Sequence, residues 1–259
     1  MEIEKSQVKS VAKAIHLLDI LAKERQSLSL LELSQRTGWP KSTIHALLST
    51  MMDYSVIAQD NQDGKYHLGM HLFELGNVVT GTWNALEVAR PYLQHIMLKT
   101  EESVNLGVMD RDEILVIEHI DSGNPLRVMI ERGTRLPMHC TAMGKVLLAS
   151  IPPSQAKWII KNVPLQAYTP HTIVSVSDLE AELDKIRNDG YAIENGEMRV
   201  GMRAVAAPVY DVRGSAVYAI GITGMFRRIS DDVFIEARDL VVNAAFGISE
   251  ALGFKQQSV

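Results

Sequence analysis

The sequence predicts an α+β chain in three stretches: an N-terminal winged helix-turn-helix over residues 1–70, a linker helix over 71–90, and a C-terminal domain over 91–259 whose antiparallel sheet is flanked by helices. Three observations lead there. Residues 28–66 read as helix, turn, helix and hairpin; residues 70–96 repeat apolar side chains at helical spacing; from Ser103 onward, short alternating stretches are interleaved with amphipathic ones.

In order along the chain, Val11, Ile15, Leu18 and Leu21 put one apolar face on a first helix over about residues 8–22, which would close the core of the winged module. Leu30, Leu31, Leu33 and Ser34 give a short second helix. In Thr37-Gly38-Trp39-Pro40 the glycine can take positive φ and the proline can open the next helix; Trp39 either staples the module or lies on a phosphate–sugar edge. Ile44, Leu47, Leu48 and Met51 then recur at steps of three and four, which leaves Lys41, Ser42, Thr43, His45 and Ser49 outward. Residues 56–59 and 65–68 alternate like two strands, joined by Asp60-Asn61-Gln62-Asp63-Gly64. Residues 70–79 are helical in pattern, with Leu72, Phe73, Leu75 and Val78 apolar, and Gly81-Thr82 marks a break before a helix with Leu86, Val88, Tyr92 and Ile96. The apolar face of this connector packs either against its own subunit or, the favoured reading, against a two-fold partner.

Farther on, Val104, Leu106 and Val108 alternate, Ile114-Leu115-Val116-Ile117 form a buried run, and Leu126, Val128 and Ile130 alternate again before Gly133, giving three antiparallel strands. Residues 142–149 read as a helix ended by Ser150-Ile151-Pro152-Pro153. Ser177-Asp178-Leu179-Glu180 is a capping box opening a charged helix that runs to Asp189-Gly190. Residues 205–210 and 217–222 are strands across the Asp211-Val212-Arg213-Gly214 turn, and a last helix covers about residues 231–252.

At 259 residues and 46% apolar, the chain can bury a sizeable core. The lack of a long apolar run or a basic-then-apolar leader, and a single cysteine, Cys140, point to a soluble, reduced, cytoplasmic protein with no membrane partner. The net charge is −5, and the first 70 residues balance eight basic against eight acidic side chains, so any DNA contact rests on local placement. Lys41, Ser42 and Thr43 supply it: an ammonium, two hydroxyls and free amides at a helix N-terminus grip phosphate. His45, Ser49 and the wing residues Asn61, Gln62 and Lys65 complete the candidate DNA face.

Catalysis has little support. His139 beside Cys140 invites a thiol nucleophile with His171 or Glu194 as base, but sequence neighbours on a strand or loop point apart. His139, His171 and Glu197 lack metal-ligand spacing, and Val146 follows Lys145 where a phosphate loop requires Ser or Thr. No catalytic residue, metal or cofactor is expected.

Several separated blocks carry a resemblance. Ser10-Val11-Ala12-Lys13-Ala14, Thr37-Gly38-Trp39-Pro40-Lys41-Ser42-Thr43 and Tyr66-His67-Leu68-Gly69 resemble the N-terminal domain of the IclR family of bacterial transcriptional regulators. Pro137-Met138-His139-Cys140-Thr141-Ala142-Met143-Gly144-Lys145, Tyr168-Thr169-Pro170-His171-Thr172-Ile173, Gly190-Tyr191-Ala192 and Gly201-Met202-Arg203-Ala204-Val205-Ala206-Ala207-Pro208-Val209 are similar to its ligand-binding domain, in wording and order. The resemblance implies a GAF-like C-terminal domain and a regulator, more often a repressor, of a metabolic or catabolic operon. Its partners would be double-stranded operator DNA, a second or further copies of itself as homodimer or homotetramer, and a small organic effector, a carboxylate or aromatic compound.

The same resemblance places the effector among Ala142, Met143, Glu194, Ala204, Gly221 and Thr223. Ala204 stands where relatives often carry a cysteine, Gly221 and Thr223 where they often carry two serines, and Ala46 where an arginine is usual on the recognition helix. Met143, Met202 and Met225 read equally as core packing or as an adaptable pocket lining; on the second reading the effector is larger or more apolar than a two- or three-carbon acid, and Ala46 implies an altered operator. Arg199 and Arg203, beside Glu194 and Glu197, form either a pocket clamp or an ion-pair network, the network being the favoured reading.

Overall fold

A computed structural model describes residues 8–24, 26–81, 84–123, 130–225 and 231–255. The chain divides into two compact units, Met1–Thr82 and Trp83–Val259, the division falling inside the stretch expected as a connector.

In the first unit, α1 (Lys9–Glu24), α2 (Leu30–Thr37) and α3 (Lys41–Asp53) precede a hairpin of β1 (Ile57–Gln59) and β2 (Tyr66–Leu68), and α4 (Met70–Gly81) follows. Helix α2 opens on a capping box: the Ser29 hydroxyl accepts from the Glu32 amide while the Glu32 carboxylate accepts from the Ser29 amide. It closes at Gly38, whose φ of 70° only glycine takes without strain. Leu28 pairs with Tyr66 through reciprocal backbone hydrogen bonds of 2.9 and 2.8 Å, so the wing gains a third edge. Leu17, Leu21, Leu28, Leu33, Ile44, Leu48, Met51, Ile57 and Tyr66 form the core. Each such leucine contributes about 2 kcal/mol by leaving water. The α1 face differs from expectation. Leu17 and Leu21 are buried with Ala14 and Leu18 packed beside them, whereas Val11 and Ile15 stay exposed, because the inward stripe of α1 is offset from the one expected.

The second unit is one six-stranded sheet in the order β5-β4-β3-β8-β7-β6, antiparallel throughout. In chain order it comprises α5 (Asn84–Thr100), β3 (Ser103–Asp110), β4 (Glu113–Ile120), β5 (Arg135–Pro137), α6 (Ala142–Ser150), α7 (Pro153–Asn162), α8 (Val176–Asp189), β6 (Ala192–Asn195), β7 (Met202–Tyr210), β8 (Ala216–Met225) and α9 (Asp231–Ala251). Alternation along β7 separates two cores. Val205, Ala207 and Val209 pack with Leu93, Ile96, Val241 and Ile248 of α5 and α9. Ala204 and Ala206 face the other way, toward α6, α7 and α8. Those small side chains leave room above the sheet.

Three sequence expectations change. Leu126 and Val128 lie outside the described residues and Ile130 belongs to no strand; on the side away from β3, β4 pairs with β5, with Glu113 opposite Pro137. Pro152-Pro153 ends α6 but also opens α7, because a proline in a first helical turn forfeits an amide that has no partner there. Helix α8 is capped by Ser175, whose hydroxyl accepts from the Asp178 amide, and not by Ser177, which is already helical.

Candidate functional site

The first unit presents one polar face at α3. Its N-cap is Pro40, which has no side chain to cap with; Thr43 and Ile44 amides reach the Pro40 carbonyl, which leaves the Lys41 and Ser42 amides open among the described residues. Lys41, Ser42 and His45 are exposed, Thr43 and Ser49 half-buried. An ammonium, a hydroxyl and open amides at a helix N-terminus suit a phosphate, and the exposed side of α3 beyond them suits a groove. On the wing tip, Asp60 Oδ1 accepts from the Gln62 amide at 2.7 Å and Asp63 Oδ1 from the Lys65 amide at 2.9 Å, which holds Asn61 and Gln62 outward. Lys65 is half-buried, its ammonium 4.0 Å from Asp63. Trp39 staples the module: its ring packs on the core, 5.0 Å from the Lys13 ammonium and 5.6 Å from the His16 ring.

The second unit holds a cavity of about 400 Å³ between the sheet and the start of α6. Glu194, Ala204 and Thr223 are direct cross-strand neighbours on β6, β7 and β8, and Ala206 and Gly221 form the adjacent pair, so all line one floor. Ala142 and Met143 come down from α6. Thr141 caps that helix by accepting from the Gly144 amide, and its own carbonyl takes the Lys145 amide; Ala142 and Met143 amides are left open among the described residues. Helix α6 is held close by Gly144, where a Cβ would come within 2.3 Å of the Met138 carbonyl oxygen. Leu136, Ile130, Met198 and Met202 supply apolar wall.

Polar groups are arranged at one end. Glu194 is 1% exposed, and its Oε1 accepts from the Glu197 amide at 2.6 Å and the Met198 amide at 3.0 Å. Its Oε2 is buried with no partner among the described residues. Burial pushes this carboxyl up to about 7, against the opposing pull of the Met198 and Glu197 amides. Behind it, the buried Lys145 ammonium pairs with Glu197 at 2.6 Å and Glu182 at 3.3 Å. Thr169 donates to the Gly196 carbonyl and Thr172 to the Glu197 carbonyl, both at 2.7 Å, so the Tyr168–Ile173 block pins the loop that carries Met198 and Arg199.

Two family models match the chain: the IclR helix-turn-helix domain over residues 10–61, and the bacterial transcriptional regulator IclR C-terminal domain over residues 78–250. The chain belongs to the IclR family. Among IclR relatives, transcriptional repressor IclR of Escherichia coli (strain K12) is 32% identical over 249 residues, 95% of this chain and 91% of that protein. HTH-type transcriptional regulator KdgR of Dickeya chrysanthemi is 36% identical over 247 residues, 95% of this chain and 81% of that one. The crystal structure of Thermotoga maritima IclR superposes with a TM-score of 0.80 at 28% identity, covering 96% of this chain and 100% of that one. This IclR-family chain is a DNA-binding transcriptional regulator, not an enzyme.

The IclR fold brings all six residues placed by resemblance, Ala142, Met143, Glu194, Ala204, Gly221 and Thr223, around the one cavity, and sets Lys41, Ser42, Thr43, His45 and Ser49 on α3 apart from the wing residues Asn61, Gln62 and Lys65. Met143 and Met202 line the cavity; Met225 packs behind it and Met198 takes its place. The expected network of Arg199 and Arg203 with Glu194 and Glu197 does not form. Lys145 holds Glu197, and Arg203, one residue before Ala204, leaves the opposite face to bond Asp231 at 2.8 Å and cover Phe234. Arg199 is exposed at the cavity, without an ion pair among the described residues. Sequence reading missed the pairing of Lys145 with Glu197 and Glu182 and the Tyr168 and Met198 lining, none of which leaves a local sequence signal.

His139 and Cys140, adjacent in sequence, are both buried. Cys140 is fully buried, its thiol pushed up to about 12 by burial and the nearby Glu197 and Glu194 carboxylates. His139 Nε2 is 3.0 Å from the Gln166 carbonyl oxygen. Among the described residues no group of three or more His, Cys, Asp or Glu is gathered for a metal, and no helix is long and apolar enough to cross a membrane.

Proposed function

We propose that two copies of the winged unit grip operator DNA in the cytoplasm, with α3 in the major groove and the wing on the flanking backbone, and that a small organic acid in the C-terminal cavity sets their affinity. The observation that carries this reading is the cavity: apolar walls meet the open Ala142 and Met143 amides at the start of a helix and the unpaired Arg199, a cradle for a carboxylate. Its volume of about 400 Å³ favours an acid larger than two or three carbons. Repression is the favoured sign, since IclR of Escherichia coli and AllR of Klebsiella pneumoniae carry the name repressor.

Dimerisation is supported by apolar faces on the first unit. Val8, Val11 and Ile15 are exposed along the start of α1, and Met70, Phe73, Leu75 and Val78 along α4. Such patches are the usual mark of a partner surface.

The test is binding of the full chain to the DNA upstream of its own gene, against a scrambled duplex at fixed salt, with and without a panel of aliphatic and aromatic acids. Saturable preference for the upstream DNA, altered by at least one acid, is the expected result. Equal affinity for both duplexes contradicts the reading.

A further inference from the structure

From Lys41 to Asp53, α3 carries no Arg, Asn or Gln. Those three, with lysine, are the side chains that read a base by two parallel hydrogen bonds, arginine or lysine on guanine and asparagine or glutamine on adenine. Lys41, the one lysine of α3, stands at the helix start beside the open amides that suit a phosphate. The wing tip does hold Asn61 and Gln62 outward, but a wing on the flanking backbone meets phosphates or a minor groove whose code is degenerate. Sequence in the major groove is therefore left to groups of α3 that make no bidentate pair.

At about 3.6 residues per turn, the row of α3 opposite the buried Ile44, Leu48 and Met51 runs Ser42, Ala46, Ser49 and Asp53. Ser42, Ala46 and Asp53 are exposed and Ser49 is half-buried. Thr50, beside the row, donates its hydroxyl to the Ala46 carbonyl at 3.0 Å, so that proton is not offered to a base. The row thus presents hydroxyl, methyl, hydroxyl and carboxylate. A serine hydroxyl donates or accepts as its torsion requires and suits several bases. Asp53 ends the helix with a charge that phosphate repels, and Lys41 opens it with one that phosphate attracts, so the N-terminal half, which carries Ala46, is the half that enters the groove. Ala46 differs in kind from its neighbours, since it offers only an apolar surface at the middle of the face. Thymine is the one base with a methyl group in the major groove. Against any polar base edge the Ala46 methyl would strip water and return no hydrogen bond.

Resting on α3 as the groove-reading helix, we propose that Ala46 is a specificity-determining residue for thymine: in each half of the operator a thymine C5-methyl packs on the Ala46 Cβ. That thymine is the base α3 specifies most sharply, and Ser42 and Ser49, one turn to either side, supply adaptable hydrogen bonds to its neighbours. The short side chain also lets the helix backbone approach the base edges, which a longer residue at the centre of the face would hold away. Two copies of α3 make the requirement symmetric, one thymine contact in each half-site.

The experiment is fluorescence anisotropy of the full-length protein on the DNA upstream of its own gene, prepared with thymine or with uracil throughout, beside a scrambled duplex prepared both ways. Uracil removes the C5-methyl groups and keeps the pairing. The wild type is expected to bind the thymine form of the upstream DNA about fourfold more tightly for one methyl taken out of water, and about fifteenfold when both half-sites are engaged. The two scrambled duplexes should differ by less than about twofold, since binding to them rests on phosphates. Uracil also alters duplex shape, so the assignment to Ala46 comes from the variants. In Ala46→Gly, which removes only the methyl, the thymine and uracil forms of the upstream DNA should converge to within about twofold. Ala46→Ser, with a hydroxyl at the same place, should converge likewise, so the outcome does not depend on the glycine variant folding. Equal affinity of the wild type for both forms, or a thymine preference that survives in the variants, overturns the role of Ala46 while leaving operator binding in place. No preference of the wild type for upstream over scrambled DNA overturns α3 as the reading helix and this inference with it.

Discussion

Lys41 carries the proposed DNA face by its position and not by net charge. It opens α3 on an uncapped N-terminus, beside open amides, in a unit whose basic and acidic side chains balance. Lys41→Ala should weaken binding to specific and unrelated duplexes by similar factors and lower the salt slope of log affinity by about 1, as read by fluorescence anisotropy from low to moderate salt. Glu194 makes the corresponding residue-scale statement in the second unit. Burial holds its carboxyl at about 7, above its ordinary range. Between those values the folded chain keeps a proton that the unfolded chain has released, so this group's contribution to stability falls as pH rises and levels off above about 7. The Tm of Glu194→Gln minus that of the wild type should therefore climb from about pH 5 to about pH 7.5; a flat or falling difference contradicts the assignment. The α3 residues were legible because helical period and a Gly-Trp-Pro turn fix which side chains face out. The placement of Arg199 and the partners of Arg203 and Lys145 were not, because each depends on which sheet face and which loop a side chain meets, and that is set by register between strands far apart in sequence.

Helix α6 is the element on which the cavity depends. Every residue from Ala142 to Ala149 is buried, which is why its sequence shows apolarity without a polar stripe. Its closeness to the Met138 backbone leaves no room for a Cβ at Gly144. Gly144→Ala should displace the start of α6, costing about 2 kcal/mol or more of stability and abolishing acid binding, while α3 in the first unit remains folded. Thermal unfolding and ligand titration check this together; unchanged acid affinity would mean that α6 does not shape the site. At this scale long periodic elements such as α3, α8 and α9 could be read from pattern, and β7 and β8 from alternation. Strands β5 and β6, of three and four residues, are too short for a period to show. Helix α7 hid behind Pro152-Pro153, since the same dipeptide that stops one helix can start the next.

At the scale of the whole molecule, two compact units divide the work: one carries the polar α3 face, the other the cavity. Residues of the first unit also leave Phe73 and Val78 of α4 in water, 62% and 70% exposed. Phe73→Asp should shift the full-length protein toward monomer in sedimentation velocity and weaken operator binding in step, because an isolated winged unit reads only half of a two-fold site. The division into a winged module and an α+β domain was visible from the change of periodicity near Ser103, and the family from separated blocks of matching residues. On the proposed function, the effect of a ligand in one unit on DNA binding by the other is a coupling free energy, and it must be reciprocal. The most direct test is a thermodynamic cycle: affinity for the upstream DNA with and without a saturating acid, and affinity for that acid with and without the DNA. The account predicts that both ratios differ from one by the same factor, at least about fivefold. Specific DNA binding that no cavity-bound acid changes, in either direction of the cycle, would contradict it.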